Sequence, residues 1–69
     1  KNDRTAEDWY NLGLSYEAGA LSRDDYQQAR RAYLEALKKE NGNSDFAASV
    51  GRVELRLAEY RQLASQRAI

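Results

Sequence analysis

Residues 9–16 read WYNLGLSY, two aromatics, two leucines and a glycine inside a stretch whose neighbours all favour helix. Glycine costs about 1 kcal/mol against alanine in a helix interior. Its presence at position 13 therefore asks what it lets come close. Trp9, Leu12, Gly13 and Tyr16 fall on one face at helical spacing, with Gly13 between the large side chains. A missing Cβ there lets a neighbouring helix approach, and Tyr33 or Ala29 of the following segment are the expected contacts.

Working outward, the helix ends can be placed. Thr5 is the expected N-cap, with Asp8 three residues on in a capping-box position. Glu7 and Asp8 suit the positive end of the dipole, and Gly19 is the expected stop, which gives a first helix over 6–18. A second opens after Ser22, with Asp25 three residues later, and runs to about Glu40. Asn41-Gly42-Asn43 breaks it. Asn43 or Ser44 caps the third, which runs to about Arg67. Phe46, Val50, Val53, Leu57, Tyr60 and Ala64 form one stripe with no glycine, proline or asparagine to interrupt it, which predicts one long helix. The second helix carries Tyr26, Ala29, Tyr33, Ala36 and Leu37, small residues alternating with rings.

Length and composition bound the function. Sixty-nine residues make one small domain. Such a domain hides only about 60% of its unfolded surface, so its stability is modest. With no cysteine and no histidine, disulfides and the commonest transition-metal ligands are excluded. Eleven basic residues balance eleven acidic ones. Arg30-Arg31 and Lys38-Lys39 sit among Asp24, Asp25 and Glu35, and read as solvated helix faces, not a phosphate-binding stripe. No nucleic-acid partner is expected, nucleic-acid binding by the arginine-rich third helix, through Arg52, Arg56, Arg61 and Arg67, being the remote alternative. No apolar run approaches the roughly 18 residues of a membrane span. The chain begins at Lys1, which reads as processed or excised from a longer parent.

Enzyme chemistry finds little to work with. Glu7-Asp8 and Asp24-Asp25 are adjacent pairs that diverge on a helix and serve as helix-start charges. No D-x-D-x-D-G loop or phosphate-cradling glycine loop is present. The expectation is no catalysis, no cofactor and no metal. Glu35 and Lys39 form an expected i,i+4 pair worth a few tenths of a kcal/mol.

Trp9-x2-Leu12-Gly13-x2-Tyr16, followed by Ala29-x3-Tyr33-x2-Ala36, resembles the tetratricopeptide repeat. The inter-helix segment EAGALSR is about four residues longer than that repeat allows and is similar to its Sel-like branch. Val50-Gly51 corresponds to Leu12-Gly13 at a spacing of 38, although Ala47 replaces Trp9 and Glu54 replaces Tyr16. The proline that often closes the repeat is missing. The resemblance implies an all-α fold, an antiparallel helical hairpin plus a long third helix, as a fragment of an α-solenoid. Residues 1–69 then form a single domain, with 5–42 a first repeat and 43–69 a degenerate second unit or capping helix.

The resemblance further implies a non-catalytic protein-interaction module within a larger scaffold or assembly factor. Its partner is a peptide or helix of another protein, or further repeats of the parent chain. Carried over by register, the partner groove comprises Tyr10, Leu14, Glu17, Ala48, Arg52 and Leu55. Leu55 lies about 180° from the middle of the Phe46–Ala64 stripe, so it faces a different neighbour. The family's basic carboxylate clamp is not expected, because only Asn11 fits it. The alternative is a capping or self-associating, homo-oligomeric unit in which the third helix pairs through its stripe. Family habit points to bacterial cytoplasm or periplasm, and no residue fixes the compartment.

Overall fold

The computed structural model describes residues 4–67, and side chains through residue 63. Three helices follow in order, α1 (Ala6–Ala18), α2 (Arg23–Lys39) and α3 (Ser44–Arg67), with no strand among the described residues. The third segment is one continuous helix of 24 residues. Ala64, the last member of its expected stripe, lies outside the described side chains.

The caps explain where each helix starts. Thr5 Oγ1 accepts from the Asp8 N–H at 3.1 Å and Asp8 Oδ2 accepts from the Thr5 N–H at 3.2 Å, the reciprocal capping box expected for α1. At α2 the device differs from expectation. Ser22 makes no side-chain cap bond, and Asp25 Oδ2 instead accepts from the Leu21 N–H at 2.8 Å. Asn43 Oδ1 accepts from both the Asp45 and Phe46 N–H groups, at 2.9 and 3.1 Å, and so starts α3. Asn43 Nδ2 donates to Glu40 Oε1 at 3.1 Å, tying that start to the end of α2. The expected Glu35–Lys39 pair is replaced by Glu35–Lys38 at 3.5 Å, one residue earlier on the same exposed face.

Helix α2 is central. Ala6 clusters with Ala36, and Gly13 abuts Tyr33, so α1 runs antiparallel to α2. Phe46 meets Ala36, Val50 packs with Tyr33, Arg30 bonds Glu54 and Tyr26 stacks near Tyr60, so α3 is antiparallel to α2 as well. The core is built from small α2 residues, Ala29, Ala32 and Ala36, around the fully buried Tyr33, closed by Phe46, Val50 and Val53 from α3. The alanines let α1 and α3 each come close to α2, and the Tyr33 ring fills the space where they meet.

One expected core position and one expected groove position change places. Tyr16 stands 36% exposed, while Tyr10, expected in a partner groove, packs against both core clusters. Its ring lies 5.7 Å from Tyr33 and 4.9 Å from Phe46. The cause is the helix period. The α1 face turned toward the other helices is Ala6, Tyr10, Gly13 and Glu17, at i, i+4, i+7 and i+11, which rotates Tyr16 toward solvent. Trp9 is half-buried, with the Arg4 guanidinium 4.9 Å above its ring.

The radius of gyration is 13.2 Å, against roughly 11 Å for a compact chain of this length. Helix α3 is the longest of the three, and it continues to Arg67 beyond Tyr60, which packs against Tyr26 in the first turn of α2.

Candidate functional site

Gly13 sets the geometry of the α1–α2–α3 junction. A Cβ added there would meet Tyr33 Cε1 at 2.5 Å and Cδ1 at 2.6 Å, so only glycine admits the ring. The ring in turn directs its hydroxyl to Glu17, one turn further along α1. Tyr33 Oη donates to Glu17 Oε1 at 2.7 Å. From α3, Arg52 Nε donates to Glu17 Oε2 at 2.7 Å and its Nη2 to Oε1 at 2.8 Å. This two-pronged pair joins the first and third helices through a carboxylate that also reaches the second. Arg52 Nη2 is also 3.4 Å from Ser49 Oγ, the one buried polar side chain among the described residues.

The electrostatics follow from these contacts. The Arg52 guanidinium holds the Glu17 carboxyl below its ordinary value, against the opposing effect of burial, and the Tyr33 hydroxyl adds to the lowering. Burial, then the Glu17 carboxylate, pushes the Tyr33 phenol well up, so it stays a donor. Between the lowered folded value and about pH 4.5, the unfolded chain binds a proton at Glu17 that the folded chain does not. Stability therefore rises with pH across that window and is lost as pH falls through it. Glu17→Gln is expected to flatten this acid limb, measured by urea midpoints between about pH 3 and 6. An unchanged slope would mean that Glu17 is not ionised in the pair.

The residues of the expected groove divide into two groups. Glu17 and Arg52 are brought together by direct bonds, and Tyr10 belongs to the core. Leu14, Ala48 and Leu55 are exposed and take no part in either core cluster. Leu14 is 37% and Leu55 62% exposed. Leu14 lies one turn before Glu17, and Ala48 and Leu55 lie one turn either side of Arg52. By helix periodicity, the salt bridge sets exposed apolar positions of two helices around it.

A second surface could be found only by comparing the two glycines. Gly51, the counterpart of Gly13, has nothing within 4 Å of an added Cβ. It lies on the outward side of α3 with Ala47, Ala48, Leu55 and Ala58, all exposed. The described residues hold no cluster of three or more carboxylates able to grip a metal ion. No described helix is long and apolar enough to cross a membrane. No family model, curated protein or solved structure matches this chain.

Proposed function

We propose that this chain is a non-catalytic protein–protein interaction module, one unit and part of the next in a helical-repeat scaffold of tetratricopeptide or Sel-like type. The observation that carries this reading is the contrast between Gly13 and Gly51. Both interrupt a helix at equivalent places in the sequence, and both cost helix propensity. At Gly13 the cost is offset by Tyr33, which fills the space a Cβ would take. At Gly51 the space is open. A helix from the parent chain or from a partner protein accounts for a glycine there, because it would occupy the place that α2 occupies over Gly13. Leu14 and Leu55, set around the Glu17–Arg52 pair, would form a second contact face with Ala48 on the α1–α3 side.

The rival reading is self-association through the α3 stripe, and the packing of that stripe within the chain weighs against it. Phe46, Val50 and Val53 are buried, and Leu57 and Tyr60 half-buried, against the chain's own α2. A solenoid cap presents a polar outer face, whereas the outward side of α3 carries alanines, Gly51 and Leu55.

Gly51→Ala is expected to stabilise the isolated chain by about 0.5–1 kcal/mol, seen as a rise of a few degrees in Tm. Gly51→Leu is expected to leave the isolated chain folded and to break assembly of the parent protein. Destabilisation by Gly51→Ala, or an assembly indifferent to Gly51→Leu, would contradict the reading.

A further inference from the structure

The outer side of the α2–α3 contact holds an open cleft of about 700 Å³. Four arginines surround it, Arg23, Arg30 and Arg31 from α2 and Arg61 from α3. Leu34 and Leu57 contribute half-buried aliphatic surface between them. One carboxylate, Glu54, lines the same cleft, and it is bonded to Arg30 at 3.0 Å. Among the described residues, Arg23, Arg31 and Arg61 have no carboxylate within salt-bridge distance. The whole chain balances eleven positive against eleven negative side chains, so this concentration of guanidinium groups departs from its surroundings.

The arrangement comes from the helix period. Arg23, Gln27, Arg30 and Leu34 fall at i, i+4, i+7 and i+11 on α2, and Glu54, Leu57 and Arg61 at i, i+3 and i+7 on α3. Antiparallel packing then places Arg61 toward the Arg23 end. From Arg23 to Leu34 the cleft spans about 16 Å of helix, close to three turns.

The geometry points to an acidic, amphipathic helix of a partner protein, about three turns long, as the occupant of this cleft. The inference rests on the interaction reading above and adds the partner's chemistry. The aliphatic floor takes one or two leucine-like side chains. The guanidinium rim takes flanking carboxylates, which Arg can grip in a planar, two-pronged fashion. Nucleic acid fits less well. Single-strand binding relies on aromatic side chains that stack the bases, and no aromatic residue lines the cleft. Glu54 lies on the turn between Gly51 and Ala58, so the same helix lying in the cleft would reach toward the open glycine.

The test uses the 15N-labelled chain and a 14-residue alanine-based peptide carrying two leucines one turn apart, flanked by four glutamates. A second peptide has glutamine at the four glutamate positions, and a 12-nucleotide single-stranded DNA is the third probe. The glutamate peptide is expected to shift amides of Gln27, Arg31, Leu34, Glu54 and Ala58, and to bind about tenfold or more tighter than the glutamine peptide at low salt. Arg31→Glu with Arg61→Glu, both at exposed positions, is expected to weaken binding about tenfold, and Glu54→Gln to tighten it several-fold. Circular dichroism checks the fold, and Arg31→Gln with Arg61→Gln serves if the reversal perturbs it.

Equal binding of the two peptides, shifts that map outside the cleft, indifference to the arginine substitutions, or tighter binding of DNA would each overturn the proposal. Failure here with Gly51→Leu still breaking the parent assembly would remove the acidic partner and leave the interaction reading. Failure of both would remove the two together.

Discussion

Gly13→Leu is expected to unfold the chain at room temperature, and Gly13→Ala to destabilise it by about 1–3 kcal/mol. Alanine should gain about 1 kcal/mol of helix propensity at this position. That gain is outweighed because the added Cβ would lie 2.5 Å from a ring atom of Tyr33. The ring has little freedom to withdraw. It is fully buried, flanked by Tyr10, and its hydroxyl is bonded to Glu17. Moving it gives up core contacts and a charge-assisted hydrogen bond together. Leucine adds three further carbons to the same space, and a domain of this length has only roughly 3–10 kcal/mol of stability to lose. Thermal unfolding followed by circular dichroism measures the effect, with Gly51→Ala moving Tm the opposite way. A Gly13→Ala chain as stable as the parent would mean that the helices are not this close.

Tyr33→Ala should have an effect of comparable size, about 3–5 kcal/mol, enough to leave much of the chain unfolded. Tyr33 touches all three helices. Its ring lies over Gly13, packs with Val50 and Val53, and its hydroxyl meets the carboxylate that Arg52 grips. Truncation opens a cavity at the centre and removes the hydroxyl from Glu17 at once. Tyr33→Phe separates these contributions. It keeps the ring and loses only the hydrogen bond to a charged acceptor, at a cost of about 1.5–3 kcal/mol. Urea midpoints at constant m-value should rank the parent above Tyr33→Phe and Tyr33→Phe above Tyr33→Ala. Equal loss from both substitutions would place the stability in the hydroxyl alone and contradict the packing account.

The helices were legible in the sequence because their signals are local. Thr5 and Asp8 marked the start of α1, Asn43-Ser44 the start of α3, where Asn43 is the cap, and the uninterrupted stripe from Phe46 the continuity of α3. Gly13 pointed correctly to a close contact with Tyr33. What could not be read was the rotation of each helix about its own axis. Trp9 and Tyr16 suggested one face for α1, while packing turns Ala6, Tyr10, Gly13 and Glu17 inward, so Tyr10 moved from an expected groove into the core. The small residues Ala32 and Ser49 carry no sequence signal strong enough to mark them as buried.

Long-range charge pairing was equally hidden. Glu17 and Arg52 are 35 residues apart and were each expected at a partner-facing position, with no indication that they would bond each other. Arg30 and Arg31 read as a solvated face because their sequence neighbours are acidic. The cleft appears only once α3 brings Arg61 and Leu57 beside them. Periodicity along one helix reports its own faces, and a site shared by two helices requires the register between them.

The outward face of α3 around Gly51 is proposed to be completed by another helix. The most direct measurement places a photo-crosslinking benzoylphenylalanine at Ala47, on that face, in the protein as its native cells make it, with the same group at Leu21 as a control. Leu21 is 92% exposed on the α1–α2 connection. Mass spectrometry should find crosslinks from position 47 concentrated in one helical segment, of the parent chain or of a partner, and lost with Gly51→Leu. Crosslinks from position 47 no more frequent or localised than those from position 21 would contradict the claim.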